Sequence, residues 1–553
     1  MSASDKKKLR KEQEADLLTE KQRQQREEDK KLKIYSIAFI AVMALIVCML
    51  VGVLGVRTIN NSGIIQKNTM AATIGDRQLN SVELSYYYND AINEMYNQWY
   101  SEYESNTDSY LQIMGLDTSK PLNKQVQDQQ TGLTWDQHFV NEAIKQAKSD
   151  FALCNLAKAE NFTLPEEKQT ELDNIVKNLE TYATLYGYSN SSQYLRASYG
   201  YGADAESYAA YLERGYLADA YAEAHLESIT YDDAQIREYE SGKIDNYNSY
   251  TYASVYLSQS DFIKGGTKGD NGIMTYSDEE KEAAREAAKN AAEELATATT
   301  VEELKEKLEA LELNEGSTAT VNEKKNELHT AINGTLNKWL ADAARQEGDI
   351  EAIPNSSTSK NDAGEEVTVT NGYYVALFQS RNDNTDKMAN VRHLLVKFTG
   401  GTKDDETDET VYTEEEKSAA KEKAEEYLKK WLDGEATEES FIELVKEYSD
   451  DTSAETGGLF ENINPASEYV PEFLNWSISA DRKAGDAEVI ETQYGYHVMY
   501  YVGDDEMSYR DLMITDEMRA EDHEEWYQGI LEPITASAGD TSKLKLDLVI
   551  SPM

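Results

Sequence analysis

The feature that most constrains this chain is an uncharged run at residues 34–56, IYSIAFIAVMALIVCMLVGVLGV. As a helix rising about 1.5 Å per residue, the run is about 34 Å long, enough to cross a hydrocarbon core of about 30 Å. A helix that is apolar on every side is buried in protein or in lipid. The sequence therefore predicts one membrane-spanning helix at 34–56.

The charges beside this run predict its orientation. Lys30, Lys31 and Lys33 directly precede it, and basic residues outnumber acidic ones over residues 1–33. Basic flanking residues stay on the cytoplasmic side of a membrane. We therefore expect a charged cytoplasmic tail at 1–33 and a single-pass protein of the cell membrane whose bulk, from residue 57, is extracellular. A cleaved signal peptide is the alternative, but the long run and the lack of a small-residue cleavage site favour an uncleaved anchor.

The overall charge and the scarcity of Cys and His residues exclude several classes of function. The formal net charge is −49, and the negative excess lies after residue 33. Nucleic acid is not an expected partner, because a phosphate-binding face needs clustered positive charge. Cys48 and Cys154 lie in separate apolar patterns, which predicts no intramolecular disulfide, and the six histidines are scattered singly. No metal site and no cofactor are expected.

A compact pattern of strands and helices, with a histidine in each flanking strand, lies in the second half of the chain. The first strand, at 391–397, contains His393 before an aliphatic run, and the last, at 492–500, contains His497 among aromatic and β-branched residues. Both compositions favour strands. Apolar residues at helical spacing predict two helices between these strands, at 413–432 and 437–448.

The segment after the second helix carries a set of short motifs, Asp450-Asp451-Thr452-Ser453, Gly457-Gly458 and Val470-Pro471-Glu472-Phe473. Together with the two histidine strands, this string resembles the parvulin, or PpiC-type, peptidyl-prolyl isomerase domain. The resemblance implies a parvulin domain at 386–505. It implies catalytic-site positions at His393, Asp451, Thr492 and His497, and substrate-binding positions at Phe460, Tyr469, Phe473 and Tyr494.

The reaction implied by this resemblance is cis–trans isomerisation of X-Pro bonds, which needs no covalent intermediate. The amide twists over a barrier of about 18 to 20 kcal/mol. A proline pocket with apolar walls accelerates the twist if it binds the twisted amide more tightly than either planar form. Neutral imidazoles and a carboxylate in one hydrogen-bonded network would fix the polarity of such a pocket. We therefore expect His393 and His497 to organise the site rather than to act as general acid or base.

The segment from Gly457 to Tyr469 departs from the family pattern, in its sequence and in being one residue longer, and a separate loop bears on phospho-specificity. Residues 457–461 read GGLFE, where the family has Gly-Gly-x-Leu-Gly. The loop 399–410 is acidic, whereas parvulins that recognise phosphorylated Ser or Thr before Pro carry basic residues there. Because an acidic loop repels phosphate, phospho-specificity is not expected.

Residues 57–245 have a different pattern, a short strand at 71–74 followed by a series of helices. Capping boxes that begin at Asn80 and at Thr163 predict two of the helix starts. This order resembles the chaperone domain of the SurA and PrsA foldases, which implies contact with unfolded polypeptides. Tyrosines recur on the first helix, at Tyr86, Tyr87, Tyr88, Tyr96 and Tyr100. They either line a groove for unfolded chains or pack in the core, and their helical spacing favours the core.

Residues 246–385 repeat the parvulin pattern without its site residues. Trp, Arg, Gly and Asp recur at the same offsets, in Trp339, Arg345, Gly348 and Asp349 and in Trp476, Arg482, Gly485 and Asp486. On this alignment Ser254 replaces His393, and Tyr374 replaces His497. We expect a degenerate parvulin-like domain without isomerase activity.

The C-terminal segment, 506–553, predicts a helix around 517–530 and then an alternating strand at Leu544, Leu546, Leu548 and Ile550. In the SurA-like arrangement the last segment of the chain returns to the chaperone domain. We therefore expect this strand to pair near residues 71–74.

These features predict an α+β multidomain protein with a single N-terminal transmembrane helix, a mostly helical chaperone module and two parvulin-like domains, the first degenerate. Its expected function is extracytoplasmic peptidyl-prolyl isomerisation and chaperoning of secreted proteins. Its expected partners are unfolded or partly folded polypeptides with X-Pro bonds, and the sequence is compatible with a homodimer. The alternative is a non-catalytic holdase or scaffold whose parvulin-like domains only bind peptide.

Overall fold

The computed structural model describes residues 2–103, 111, 113–268, 274–360, 365–403 and 410–545. The chain divides into two compact units. The first comprises Met1–Ile229 with Asp522–Met553, and the second comprises Thr230–Glu521. The first unit therefore ends before residue 245, the boundary suggested by the sequence pattern.

The apolar run lies within one long helix, α1 (Ala3–Ser62). By length and composition, the part Ala38–Ser62 can cross a membrane, and none of its most apolar stretch is buried inside the protein. The helix ends at Gly63, which adopts a left-handed conformation (φ 64°) and donates its N–H to Asn60 O. A short helix, α2 (Ile64–Asn68), follows.

The first unit combines an antiparallel sheet with a set of helices. The sheet contains β1 (Met70–Ile74), β2 (Arg77–Asn80) and β17 (Ala536–Ala538), in the order β17-β1-β2. The helices are α3 (Ser81–Tyr103), α4 (Trp135–Ala159), α5 (Glu166–Leu185), α6 (Ser191–Tyr199) and α7 (Ala205–Ser228). A ribbon of β3 (Val126–Asp128) and β4 (Leu133–Thr134) precedes α4. Leu79, Tyr87 and Trp135 belong to the core between sheet and helices.

The two predicted capping boxes have different outcomes. Asn80 Oδ1 accepts from Glu83 N–H at 3.1 Å, and Glu83 Oε2 accepts from Asn80 N–H at 3.0 Å, which confirms the first box. The box at Thr163 is wrong. Pro165 occupies the N-cap of α5 and makes no side-chain cap bond, so Thr163 lies outside the helix cap.

The tyrosines of α3 pack mainly in the core. Tyr86, Tyr87 and Tyr88 are at most 1 % exposed, and the rings of Tyr86 and Tyr211 stack with centroids 5.2 Å apart. Tyr100 is 55 % exposed. The interpretation as core packing is confirmed for the first three tyrosines, while Tyr100 lies at the surface.

The C-terminal segment pairs with β1, but through a different strand from the predicted one. Ala72 lies opposite Ala538, and Ile74 lies opposite Ala536. Since β2 pairs along the other side of β1, both edges of β1 are occupied. Leu544 lies in a turn with its side chain buried, and residues 546–550 are outside the described residues. The predicted pairing is therefore corrected to β17, whose Ala and Ser residues have no strand preference that the sequence could reveal.

The second unit contains two four-stranded antiparallel sheets with the same topology. The first is formed by β5 (Ser249–Ser258), β8 (Asn322–Leu328), β9 (Ile350–Lys360) and β10 (Glu366–Asn382), in the order β8-β5-β10-β9. The second is formed by β11 (Lys387–Lys397), β14 (Leu459–Ile463), β15 (Ala487–Thr492) and β16 (Gly495–Ser508), in the order β14-β11-β16-β15. Successive strands of the chain thus take equivalent places in both sheets.

The helices between these strands also correspond. The first sheet has α9 (Asp278–Leu295), α10 (Val301–Glu309) and α11 (Gly334–Leu340). The second has α12 (Glu414–Leu432), α13 (Glu438–Tyr448) and α14 (Pro471–Ser477). The ribbons β6 (Thr267–Lys268) with β7 (Met274–Thr275) and β12 (Thr402–Lys403) with β13 (Thr410–Val411) precede α9 and α12. Flanking helices are α8 (Asp233–Glu240) before the first sheet and α15 (Tyr509–Leu531) after β16.

One polar cluster occurs in both halves, formed by Trp339, Arg345 and Glu351 in the first and by Trp476, Arg482 and Glu488 in the second. In each, the indole N–H donates to the Glu carboxylate, at 2.6 and 2.9 Å. The guanidinium lies over the indole ring, 4.0 and 4.2 Å from its centroid. The Trp and Arg positions that match in sequence therefore make matching contacts.

Candidate active site

Two neighbouring strands of the second sheet carry the predicted histidines on one face. In the antiparallel pairing of β11 with β16, His393 lies opposite Met499, and Leu395 lies opposite His497. Residues that are directly opposite, and residues two apart in one strand, share a face of the sheet. His393 and His497 are therefore diagonal neighbours, and both are buried, with 3 % and 5 % exposed.

The two imidazoles form the centre of one polar chain. His393 Nδ1 and His497 Nδ1 are 2.9 Å apart. His497 Nε2 lies 2.9 Å from Thr492 Oγ1. At the other end, His393 Nε2 lies 3.4 Å from Ser453 Oγ and 3.6 Å from Asp451 Oδ1. The chain thus extends from the Thr492 hydroxyl through both histidines to the Asp451 carboxylate.

The carboxylate sets the direction of these hydrogen bonds. Asp451, when ionised, only accepts, and the Ser453 hydroxyl donates to its Oδ1 at 2.5 Å. His393 Nε2–H therefore points toward this pair, which leaves Nδ1 of a neutral His393 to accept from His497 Nδ1–H. His497 Nε2 then accepts from the Thr492 hydroxyl. One set of neutral tautomers satisfies every member of the chain.

The pKa shifts agree with this state. The contact with His393, together with the hydrogen bonds from Ser453, holds the pKa of Asp451 well below its usual range. Burial, and then the repulsion of His393, lower the pKa of His497 to about 3. At neutral pH, Asp451 is therefore ionised and His497 is neutral.

The segment after α13 reaches the site through hydrogen bonds along β11. Leu395 N–H donates to Ser449 Oγ at 3.1 Å, and Asp450 N–H donates to Leu395 O at 2.9 Å. Asp450 Oδ2 accepts from Lys397 N–H at 3.1 Å. These bonds fix the backbone just before Asp451, so that its carboxylate lies beside His393.

Two supporting residues, Ser453 and Arg392, were not predicted from the sequence. The N–H of Ser453 donates to Asp451 Oδ1 at 2.8 Å, in addition to its hydroxyl. Arg392 is buried, and it donates to Glu438 Oε1 at 2.8 Å and to Gly457 O at 3.1 Å. A Ser two residues after an Asp is a known turn signal that could have indicated Ser453. No local signal marks Arg392, because its partners are distant in sequence.

The double glycine is required by the close approach of its backbone to β11. Gly457 and Gly458 have φ values of 72° and 66°, and Gly458 O accepts from His393 N–H at 2.9 Å. A Cβ at Gly458 would collide with His393 O. Since both glycines are present, the departure from the family pattern in the residues that follow them leaves this contact intact.

An aromatic cluster lies against the histidine pair. The ring centroids of Phe473 and Phe460 lie 5.4 and 5.0 Å from that of His393, and Phe473 lies 5.9 Å from His497. Tyr469 lies 5.3 Å from Phe473 and is 37 % exposed. The structure thus brings three of the predicted substrate-binding side chains together, with the two Phe rings against the imidazoles and Tyr469 at the surface.

The fourth predicted substrate-binding residue, Tyr494, contacts the site through its backbone. Its N–H donates to Thr492 Oγ1 at 3.2 Å, while the residue is 56 % exposed. This bond occupies a lone pair of the Thr492 hydroxyl and leaves the proton free for His497. The structure therefore places Tyr494 behind Thr492 rather than in the aromatic cluster.

The arrangement suits the twisting of an amide better than the making of a bond. A base with a pKa of about 3, as His497 has, does not activate a hydroxyl at neutral pH. The Ser453 hydroxyl is already engaged with Asp451. What remains is a fixed polar chain beside an apolar wall, which can hold a ring and an amide in one orientation.

The family comparison agrees with this geometry. Residues 373–503 match the model of the PPIC-type PPIase domain. The matched region extends from β10 into β16 and includes all eight residues predicted for the site. No curated protein matches the chain.

Several solved structures are similar to parts of this chain. PrsA from Bacillus subtilis is 14 % identical over 72 % of this chain and 87 % of its own, with a TM-score of 0.25. The peptidylprolyl isomerase PrsA from Bacillus anthracis is 23 % identical over 27 % and 59 %, with a TM-score of 0.16. The peptidyl-prolyl isomerase ESS1 from Candida albicans is 18 % identical over 27 % and 95 %, with a TM-score of 0.17. At these TM-scores the likenesses carry no argument, and the assignment rests on the family match and the site.

Proposed function

We propose that this chain, whose residues 373–503 form a PPIC-type PPIase domain, is a membrane-anchored foldase that isomerises X-Pro bonds in secreted polypeptides. The observation that carries the proposal is the polar chain from the buried Thr492 through the two buried histidines to the partly exposed Asp451, beside the Phe460 and Phe473 rings. Uncatalysed isomerisation takes tens to hundreds of seconds, which is slow enough to limit folding.

The site would act by binding the twisted amide more tightly than the planar one. Twisting removes the resonance of the amide and lowers its dipole, so apolar surroundings disfavour the twisted form less than water does. Phe473 and Phe460 would hold the proline ring and supply those surroundings. A thousandfold acceleration needs about 4 kcal/mol of such differential binding, which a few contacts can supply.

In this mechanism His393 and His497 are positioning residues. They connect β11 to β16 and fix the polarity behind the aromatic wall, with Asp451 as the final acceptor and Thr492 as the first donor. No proton is transferred to or from the substrate. The low pKa of His497 supports this role, because a neutral imidazole keeps one hydrogen-bond direction over a wide pH range.

The anchor and the helical module would place this activity where clients appear. The span predicted at 34–56 would keep the site on the extracytoplasmic surface, with the N-terminus in the cytoplasm. The helical module, predicted at 57–245 and joined by the segment 506–553, would hold unfolded segments while X-Pro bonds isomerise. The pairing of β17 with β1 supports the return of the C-terminal segment to this module.

The first sheet of the second unit would be a parvulin-like domain without isomerase activity. In the pairing of β5 with β10, Ser254 and Tyr374 occupy the register positions that the two histidines occupy in the second sheet. Tyr374 packs on Tyr256 with ring centroids 4.7 Å apart, and Asn355 donates to the Tyr256 hydroxyl at 3.3 Å. Without imidazoles at these positions, we propose that this domain acts as a spacer or a second peptide-binding surface.

The cis–trans exchange of an Ala-Pro peptide, measured by NMR, tests the proposed function. The full-length protein in detergent is expected to accelerate exchange. The variant Asp451→Ala/His497→Ala should lose at least about tenfold of that acceleration, the effect of one contribution of about 1.4 kcal/mol. The matched variant Ser254→Ala/Tyr374→Phe changes the equivalent positions of the first domain and should leave the rate unchanged.

Two controls make this outcome decisive. Fluorine NMR of the tryptophans reports whether each variant remains folded. No acceleration by folded wild-type protein, with several residues in turn before Pro, would contradict the isomerase proposal.

One observation favours a second candidate, a holdase that binds Pro-containing peptides without isomerising them. The Tyr469 ring lies 5.6 Å from Phe460 and 5.3 Å from Phe473, on the exposed side of the wall that would hold the proline ring. In that position the Tyr469 ring would compete with a bound proline ring. Binding of a Pro-containing peptide without exchange, by both wild type and Tyr469→Ala, would favour the holdase.

A further inference from the structure

Two adjoining cavities of the first unit lie where α1 leaves its apolar run. The basic cavity has a volume of about 820 Å³, and its lining includes Arg57, Asn61, Gln66, Arg196, Lys543 and Lys545. The apolar groove has a volume of about 600 Å³, and its lining includes Met49, Gly52, Val53, Val56 and Tyr201. The two cavities share Arg57, Asn61 and Tyr201. They therefore form one continuous depression with a polar end and an apolar end.

The charge of the basic cavity is opposite to that of the chain. All of its charged lining residues are cations, in a protein with a net charge of −49. Among the described residues, no carboxylate lies within ion-pair distance of Arg57, Arg196 or Lys543. Lys545 Nζ donates to Ala197 O. A cavity whose charged lining residues are all cations favours an anionic ligand.

Close packing holds these cations together. Gly63 and Gly202, both with positive φ, approach so closely that a Cβ on Gly63 would collide with the Gly202 backbone. This contact fixes the end of α1, and with it Arg57, against the loop before α7. Leu544 is buried in the core of the first unit and fixes the neighbouring Lys543 at the cavity. The cavity is thus formed by three separate stretches of a packed unit, 57–66, 189–201 and 543–545, rather than by one exposed loop.

The polar lining includes an unsatisfied group. Gln66 Oε1 is buried and has no hydrogen-bond partner among the described residues. A buried amide oxygen without a partner is costly and often marks a missing ligand or water. A ligand that carries hydroxyl donors beside its negative charge would satisfy Gln66 as well as the cations.

The apolar groove runs along the part of α1 that is able to cross a membrane. At about 1.5 Å per residue, Met49 lies about 12 Å from Arg57 along the helix axis. Val53 and Val56 lie between them, and Gly52 has no atom within 4 Å of the place where its Cβ would be. In a membrane, this groove faces acyl chains while Arg57 lies at the headgroup level.

We propose that the basic cavity and the apolar groove together bind one anionic phospholipid of the extracytoplasmic leaflet. Its phosphate lies among Arg57, Arg196 and Lys543, its headgroup hydroxyls reach Gln66, and one acyl chain lies in the groove. The lipid connects the anchor to the first unit, and it positions a strongly acidic ectodomain on an anionic membrane that would otherwise repel it. The proposal rests on the membrane anchor of the proposed function but not on the isomerase activity.

Native mass spectrometry of the full-length protein in detergent, titrated with phosphatidylglycerol or with phosphatidylcholine of the same chains, tests this site. Wild type is expected to retain one phosphatidylglycerol in preference to phosphatidylcholine. The variant Arg196→Gln/Lys543→Gln should bind phosphatidylglycerol roughly 25-fold more weakly, because each cation lost near an anionic headgroup weakens binding about fivefold. The matched variant Lys124→Gln/Lys177→Gln removes two exposed cations outside the cavity and should bind as wild type does.

A second variant tests the apolar end independently of charge. Gly52→Leu adds a bulky side chain to the groove at a position where a Cβ meets no atom within 4 Å, and it should also weaken retention of phosphatidylglycerol. Glycerol phosphate, which has the headgroup without the chains, should compete poorly. The lipid site would be overturned if wild type and both site variants retained phosphatidylglycerol equally. It would also be overturned if wild type bound phosphatidylcholine as well as phosphatidylglycerol, or if glycerol phosphate competed fully.

Peptide exchange measured on the same samples separates this proposal from the proposed function. We expect the cavity variants to lose lipid retention and to keep peptide exchange. If wild type catalyses peptide exchange but binds both lipids equally, the lipid site alone is overturned. If wild type prefers phosphatidylglycerol but does not catalyse exchange, the isomerase proposal alone is overturned.

Discussion

Asp451 differs from every other member of the buried chain, because when ionised it can accept hydrogen bonds but cannot donate them. That difference selects one tautomer of His393 and, through the shared Nδ1 contact, one tautomer of His497. A buried network that is satisfied in only one way adds rigidity to the strands that carry it. The histidines can thus be required for the site without moving a proton.

Gly458 is a position in the site that has no room for a side chain. Gly458→Ala should lower the free energy of unfolding of this domain by roughly 2–5 kcal/mol, because positive φ and a collision with His393 O add together. Urea unfolding, followed by fluorine NMR of Trp431 and Trp476, measures the change.

Gly485 provides the matched control for that substitution. It also has positive φ (93°), but no atom lies within 4 Å of its Cβ position. Gly485→Ala should therefore lower the free energy of unfolding by only about 1–2 kcal/mol, because it imposes the positive φ on Ala but causes no collision. Equal losses in the two variants would contradict the proposed role of the contact with His393.

The residues that the sequence could identify are those with a local pattern. His393, His497 and Asp451 stand in recognisable strands and turns, in the order of a known family. Arg392 and the direction of the hydrogen bonds could not be predicted, because they depend on which distant carbonyl and carboxylate groups packing brings together.

At the scale of elements, long amphipathic helices were predictable and short strands were not. Residues 413–432 were expected to be helical, and α12 spans Glu414–Leu432. The β17 strand was missed because Ala and Ser carry no strand preference, whereas the alternation from Leu544 onward suggested a strand where Leu544 lies in a turn. Which segment pairs with the edge of β1 depends on which backbone N–H and C=O groups the tertiary structure brings beside it. The local sequence does not contain that information.

Truncation tests the structural role of β17. Ending the chain after Leu531 removes β17 and the buried Leu544, and should destabilise the first unit by about 2–5 kcal/mol through lost hydrogen bonds and apolar burial. Ending it after Lys545 keeps both and should have little effect. Fluorine NMR of Trp135 during urea unfolding reports the difference, and equal stability of the two truncated chains would contradict the role of β17.

At the scale of the whole molecule, charge and anchoring act in opposite directions. A net charge of −49 repels anionic surfaces, while α1, if it crosses a membrane, would hold the rest of the chain beside one. In the proposed lipid site, the basic cavity at the end of the apolar run would offset this repulsion. Composition could predict the conflict, but the cavity could not be predicted, because its cations come from residues far apart in the sequence.

The central claim is that residues 386–505 isomerise X-Pro bonds without a proton transfer by His497, which stays neutral. The pH profile of Ala-Pro exchange, catalysed by the full-length protein, tests it most directly. The pKa of His497 is lowered to about 3 and that of Asp451 lies below its usual range, so neither group changes charge as the pH falls from 8 to 5.

As far as catalysis depends on the charges of His497 and Asp451, the catalysed rate should therefore remain constant over this range. A histidine acting as general base with an ordinary pKa of about 6.5 would instead lose roughly 30-fold in rate between pH 8 and pH 5. A flat profile is the result that the site geometry predicts. A fall centred near pH 6.5, or no catalysis at any pH by folded protein, would contradict it.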